Sequence, residues 1–271
     1  MNENIRKILF FVIVALFLGV RLVGVGTDIA NTDSTRWHRR SYEFLEGLKR
    51  FDLAETYQHY QPGVTGMWIT LPARELAFKY QMWQGVLEPK TLNNADFFPI
   101  IHGLSKASII IVLAALLLFH MKSIEKLFNR NTALIYGFFM IVEPYLVGID
   151  RWFHMTSLET YFAFASLLAL FIWNKDKNKK LFIFSALFFA LSVLSKLTSL
   201  ILGPILLFIL LNHYRNERDS KSVIKNIVTY GLVVFGVFII LFPALWADFP
   251  VTINKLIGSF GGAVLENVRN N

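Results

Sequence analysis

The chain predicts an all-α membrane protein, with seven transmembrane helices and a long first outer loop that carries amphipathic interfacial helices. Three observations lead there. Of 271 residues, 55% are hydrophobic, 26 are Phe and only 17% are charged, whereas soluble domains are about a quarter charged. Mean hydropathy is +0.49, so a soluble fold would expose large apolar patches, and the same content excludes disorder. The 27 Lys and Arg outnumber 19 Asp and Glu, but they fall between apolar runs rather than on one basic polar domain. That pattern argues for membrane lipids as a partner and against nucleic acid.

The chain has no Cys, which excludes disulfides, thiolate metal sites and Cys nucleophiles. An exported loop without disulfides fits a bacterial or archaeal plasma membrane better than a secretory pathway.

A bilayer core of about 30 Å takes roughly 17–25 apolar residues per helix. The first span runs from Ile8 past Arg21 to Gly26. Read alone, it also fits a signal peptide, with Arg6-Lys7 ahead of the apolar core. Further spans are Phe97–Phe119, Ala133–Ile149 (holding Glu143-Pro144, a structural kink), Leu158–Trp173 and Ile227–Trp246. The run Leu181–Leu211 is long for one crossing and short for two. Lysines precede it at 175, 177, 179 and 180, and Arg215, Arg218, Lys221 and Lys225 follow it. Lys/Arg-rich short loops stay in the cytoplasm, so both flanks are inside only if the run crosses twice and turns at Lys196. Seven spans result. The N-terminus is inside and the C-terminus outside, with thirteen Lys/Arg in the short inside segments 1–7, 121–131, 174–180 and 213–226 against four in the short outside segments, the long segment 21–96 being largely exempt from the rule.

The outer loop 27–96 is far longer than a connector needs, and such loops are often functional. It predicts two amphipathic helices. The first sets Trp37, Phe44, Leu45, Leu48 and Phe51 opposite Arg39, Arg40, Glu43 and Lys49. The second has Trp68, Leu71, Leu76 and Trp83 on its apolar side. Helices of this kind lie in the interface plane, and the Pro62-Gly63 turn separates them.

Asp28 and Asp33 stand where the chain leaves the first span. A positioned carboxylate there can take a proton from a hydroxyl; equally, Asp33 or Ser34 can simply cap the helix that follows. Arg151 and Lys196 lie at the outer ends of spans, where a lipid-linked phosphate would sit. Arg suits bidentate phosphate contact and Lys acts as a point charge, and both can also snorkel to the interface. Arg39 and Arg40 are weaker candidates for the same task, because an interfacial helix usually has one charged face. His154 and Glu159, opening the fourth span, either orient a substrate or cap the helix. His102 and Lys106 share a face of the second span near its outer end and can approach the loop or pair inside the bundle. No residues have zinc-ligand spacing, so no metal or cofactor is expected, and no Gly-rich phosphate loop is present. The last absence argues against a cytoplasmic nucleotide-sugar enzyme.

Several motifs then form an ordered set. They are Asp33-Ser34-x-x-Trp37, Arg40-Ser41-x-x-Phe44, Gln61-Pro62-Gly63-Val64-Thr65, Glu143-Pro144-Tyr145, Asp150-Arg151-x-x-His154, Leu194-Ser195-Lys196-Leu197-Thr198 and Phe242-Pro243-Ala244-Leu245-Trp246-x-Asp248. This set resembles the GT-C membrane glycosyltransferases, especially the protein O-mannosyltransferases and the aminoarabinose transferases of lipid A. The resemblance covers the whole chain. It implies a seven-span module (1–271, with 27–96 as the first extracytoplasmic loop) and a polyprenyl-phosphate sugar donor. The acceptor implied is a lipid, glycan or protein at the outer face.

By the same resemblance Asp33 is the catalytic base, and Arg39, Arg40, Gln61, Arg151, His154 and Lys196 bind substrate. Ser34, Gln61 and Thr156 depart from the pattern, where relatives carry Glu, His and an acid. Relatives also carry further spans after the seventh, so this chain reads as a minimal or a shortened member, and an inactive module is one alternative. The alternative from another class is a lipid-glycan flippase. The charges here cluster at one face and no inverted repeat is visible, unlike transporters.

Overall fold

A computed structural model describes residues 3–28, 32–85, 97–217 and 220–270, without side chains at 213–217, 260 and 263–270. Positions 29–31 and 86–96 of the expected outer loop, and Arg218, lie outside the described residues, as does the side chain of Arg269. The described residues hold helices and no strand. In chain order these are α1 (Glu3–Leu22), α2 (Thr32–Lys49), α3 (Val64–Trp83), α4 (Phe98–Leu127), α5 (Arg130–Val142), α6 (Pro144–Arg151), α7 (Thr156–Asp176), α8 (Lys179–Ser195), α9 (Gly203–Glu217), α10 (Ser220–Leu241), α11 (Ala244–Ala247) and α12 (Phe249–Asn270). Two 3₁₀ turns, Leu53–Thr56 and Leu197–Leu202, precede α3 and α9.

By length and composition α4, α7 and α10 can each cross a membrane, and α5 with α6, bent by 64°, counts as a fourth when taken as one span. The bend has a local cause. Glu143 leaves the helical conformation, Pro144 removes a backbone donor, and the Glu143 carboxylate accepts a hydrogen bond from Leu146 N at 2.6 Å, capping α6. α1 matches these helices in length but carries Glu3, Arg6, Lys7 and Arg21. The long run 181–211 breaks at Lys196, whose backbone is extended (φ −159°, ψ 130°), and is divided between α8, the second 3₁₀ turn and α9.

α7 packs along α8 and α4, α10 along α8, and α1 along α4 and α5. Inside this bundle Arg21 is fully buried. Its guanidinium donates to Asp150 Oδ2 at 2.7 Å and to Met140 O at 2.8 Å, and lies over the Phe17 ring; Tyr161 donates to the same carboxylate. At one end of the bundle Arg6 meets Glu125 at 3.7 Å and Lys126 pairs with Asp176, gathering the start of α1 and the ends of α4 and α7. At the other end Thr65 donates to Leu191 O at 2.8 Å and Trp68 Nε1 to Leu241 O at 2.7 Å, docking α3 on the last turns of α8 and α10.

The two loop helices exist as α2 and α3. Leu76 and Trp83 are exposed, while Gly66, Thr70, Ala73, Arg74, Ala77 and Gln81 are buried. α3 packs on α4, with Ala77 and Phe78 against Phe97 and Ile101, and leaves Leu76 and Trp83 outward. Phe51 is likewise exposed, at a left-handed residue (φ 56°) just past α2.

Candidate active site

Asp33, Arg36, Trp37, Arg40, His59, Tyr60, Gln61, His154, Met155 and Lys196 line one cavity of about 240 Å³. α2 contributes the first four, the turn ahead of α3 the next three, the α6–α7 junction His154 and Met155, and the break after α8 Lys196.

Glycine makes the junction possible. Gly63 is left-handed (φ 62°), and a Cβ there would lie 2.0 Å from the Trp37 ring; one at Gly66 would lie 2.1 Å from Met155 Sδ. The Trp37 ring therefore packs directly against the Pro-Gly turn. It meets His59 and His154 edge-on and carries the Arg40 guanidinium 4.7 Å from its ring centre.

The electrostatics favour an anion. Arg36, Arg40 and Lys196 face a single carboxylate, Asp33, whose Oδ1 lies 3.6 Å from Arg36. Burial, followed by Arg36 and Arg39, pushes the Arg40 pKa down, a crowding of cations that an anionic ligand would relieve. Burial and then Arg40 push His59 down to about 4; burial and then Lys196 lower His154. Both rings are thus neutral near pH 7. His59 Nδ1 accepts from Gln61 N and His154 Nδ1 from Thr156 N, each at 3.2 Å. The proton of each ring is then on Nε2, available for donation. The Gln61 amide oxygen is buried without a hydrogen-bond partner.

Five of the residues expected from sequence thus share the cavity: Asp33, Arg40, Gln61, His154 and Lys196. Asp33 is inside the first turn of α2 rather than ahead of the helix. Arg39 and Arg151 do not line the cavity. Arg39 turns outward and pairs with Glu43 at 3.7 Å. Arg151 donates to Asp28 at 2.6 Å, and Asp28 also receives Lys106, whose side chain is 3% exposed. Burial alone would raise the Asp28 pKa, but the hydrogen bonds from Arg151 and Lys106 hold it below the usual carboxylate range.

Behind the cavity Arg74 donates to His38 Nδ1 at 2.9 Å. Because guanidinium only donates, His38 must pass a proton on Nε2 toward His102 Nδ1, 2.8 Å away. His38 also stacks on Phe153 with ring centres 4.1 Å apart, steadying the residue next to His154.

Sequence reasoning did not single out Arg36 or His59. His59 had a signal, since it lies two residues ahead of Gln61, where the resembled pattern has its histidine. Among the described residues no group of three or more His, Asp or Glu is placed to hold a metal ion.

Residues 101–246, from the first turn of α4 to α11, match the profile of the dolichyl-phosphate-mannose-protein mannosyltransferases. That is more than half the chain. The chain belongs to the dolichyl-phosphate-mannose-protein mannosyltransferase family. Comparison with curated proteins and with solved structures returns no significant match. Membership in this mannosyltransferase family makes the chain a membrane glycosyltransferase. The matched segment contains His154, Met155 and Lys196, while Asp33, Arg40 and Gln61 precede it.

Proposed function

We propose that the chain moves a sugar from a polyprenyl-phosphate carrier to an acceptor hydroxyl at the outer membrane face, in one inverting displacement. The cavity at the meeting of α2, α7 and α8 carries this reading: one carboxylate opposite three cations and two neutral imidazoles. The family is described by its dolichyl-phosphate-mannose donor, and a lipid phosphate suits that cation set.

Asp33 takes the acceptor proton as the acceptor oxygen bonds to the anomeric carbon. The bond from that carbon to the phosphate oxygen breaks, and the lipid phosphate leaves with the electron pair. Lys196, Arg40 and Arg36 meet its growing charge, which is stabilisation delivered where charge develops. The Nε2–H groups of His59 and His154 donate to phosphate or sugar oxygens, and the Gln61 amide oxygen accepts from a sugar hydroxyl. Arg151 serves indirectly, by holding Asp28 against Lys106.

The proposed topology adds α1, α8 and α9 to the four spans above, giving one seven-span module in the plasma membrane with 27–96 outside. It rests on the Lys/Arg excess in alternate short segments. Single Cys at Lys175 and Ser220 tests it, because both are then cytoplasmic and neither reacts with an impermeant reagent added outside. Labelling of either one overturns the topology.

Asp33→Asn tests the chemistry. Asp33 is half exposed and its ion pair with Arg36 is long, at 3.6 Å, so losing that charge costs about 1 kcal/mol or less and the folded fraction and donor binding stay close to the parent. Turnover falls on the order of 10²–10⁴ if Asp33 is the base. A parental rate leaves Asp33 with a purely structural role.

A further inference from the structure

At the end of the bundle opposite the candidate site, α1 and α4 enclose a groove of about 570 Å³ lined by Arg6, Lys7, Phe10, Phe11, Val14, Leu118, Lys122 and Glu125. Its two parts differ in chemistry. Phe10, Phe11, Val14 and Leu118 form an apolar floor, and Phe11 is 72% exposed. Three cations and one acid form the rim. Arg6 leans toward Glu3 at 3.4 Å and Glu125 at 3.7 Å, and Lys7 toward Glu3 at 3.0 Å; Lys122 has no ion pair among the described residues. With Glu3 counted, the rim keeps one positive charge in excess, at the end of a helix long and apolar enough to cross the membrane.

We infer that this groove binds an anionic phospholipid, with its phosphate held by Lys122, Lys7 and Arg6 and an acyl chain laid on Phe11 and Leu118. Charge complementarity selects the headgroup, since basic pockets between helices at a membrane boundary attract anionic lipids. The floor selects a lipid over a free anion: an exposed Phe directly beneath cations offers nothing to inorganic phosphate. The stems of Lys7 and Lys122 can lie along the floor while their ammonium groups reach headgroup level. The site is independent of the sugar-transfer chemistry, and its ends are pinned by the Arg6–Glu125 pair rather than by a loop.

The test uses the full chain in phosphatidylcholine nanodiscs, titrated with phosphatidylglycerol and followed by native mass spectrometry and thermal midpoint. Phosphatidylglycerol should be retained in preference to phosphatidylcholine and should raise the midpoint, whereas sn-glycerol 3-phosphate, which has the phosphate and no acyl chain, should do neither. Removing one cation should weaken the preference about fivefold, read in Lys122→Gln, an exposed position whose loss leaves the midpoint in pure phosphatidylcholine unchanged. Lys7→Gln supplies a second reading from the other helix. Equal retention of the two lipids by the parent chain overturns the inference. So does a preference unaltered in both variants, or a midpoint shift reproduced by glycerol phosphate.

Discussion

Gly63 lies so close to Trp37 that a single added carbon would sit 2.0 Å from the ring. Trp37 in turn touches both histidines of the cavity and supports Arg40. The Pro-Gly turn is thus the seat of the one aromatic ring that joins three walls of the site.

Gly63→Ala should therefore damage the site through backbone and packing together. A left-handed non-Gly residue costs about 1–2 kcal/mol, and the overpacked ring adds about 1–3 kcal/mol. A lowered thermal midpoint with altered Trp fluorescence is expected, alongside loss of transfer. Trp37→Leu in the same chain should recover part of the midpoint but not the activity.

Lys196→Ala removes a charge from a side chain on the helix break, away from the buried core. A charge-assisted contact is worth about 1.5–3 kcal/mol, so the KM for the lipid-linked sugar should rise about tenfold or more. The folded fraction should stay near parental. Unchanged donor affinity would assign Lys196 to interface contact alone.

Asp28 and Arg151 should not be equivalent. Asp28→Asn strips Lys106, nearly inaccessible at 3% exposure, of its carboxylate, and an uncompensated buried charge costs about 2 kcal/mol or more. Arg151→Gln leaves the Lys106–Asp28 pair in place and removes a partly exposed partner, a change of about 1 kcal/mol or less. Denaturation in mild detergent should rank them in that order, and near-equal losses would refute it.

Acid should destabilise the fold through the cavity histidines. His59 is held down to about 4 from its ordinary 6.5, so between those values the unfolded chain binds a proton that the folded chain refuses. Stability is then full above about pH 6.5 and falls as pH drops toward 4. His59→Gln should flatten part of that slope in thermal melts across pH 4–7.

What the sequence reveals here is mostly what charge and spacing reveal. Lysines on both flanks of 181–211 locate the break at Lys196, and Glu143-Pro144 locates the bend. The two loop helices follow from their aromatic residues. What stays hidden depends on partners distant in the chain. His59 and His154 become one wall only because Gly63 and Gly66 admit Trp37 and Met155. Arg74 is fully buried, and its partner His38 comes from α2, 36 residues earlier in the chain. α12 is poorly marked, since Gly258, Gly261 and Gly262 lower its helix propensity.

The buried Arg21–Asp150 contact bears on how the protein is made. α1 emerges well ahead of α6, carrying a guanidinium in its last turn, and the carboxylate that neutralises it lies 129 residues downstream. An ionised side chain inside lipid is costly until it finds its partner. During synthesis α1 therefore has reason to hold Arg21 at the water boundary and to settle fully only after α6 is in place. The final seating of α1 is then a late event, and a chain ending before Asp150 would leave α1 shallower and more open to extraction than one that extends past α6.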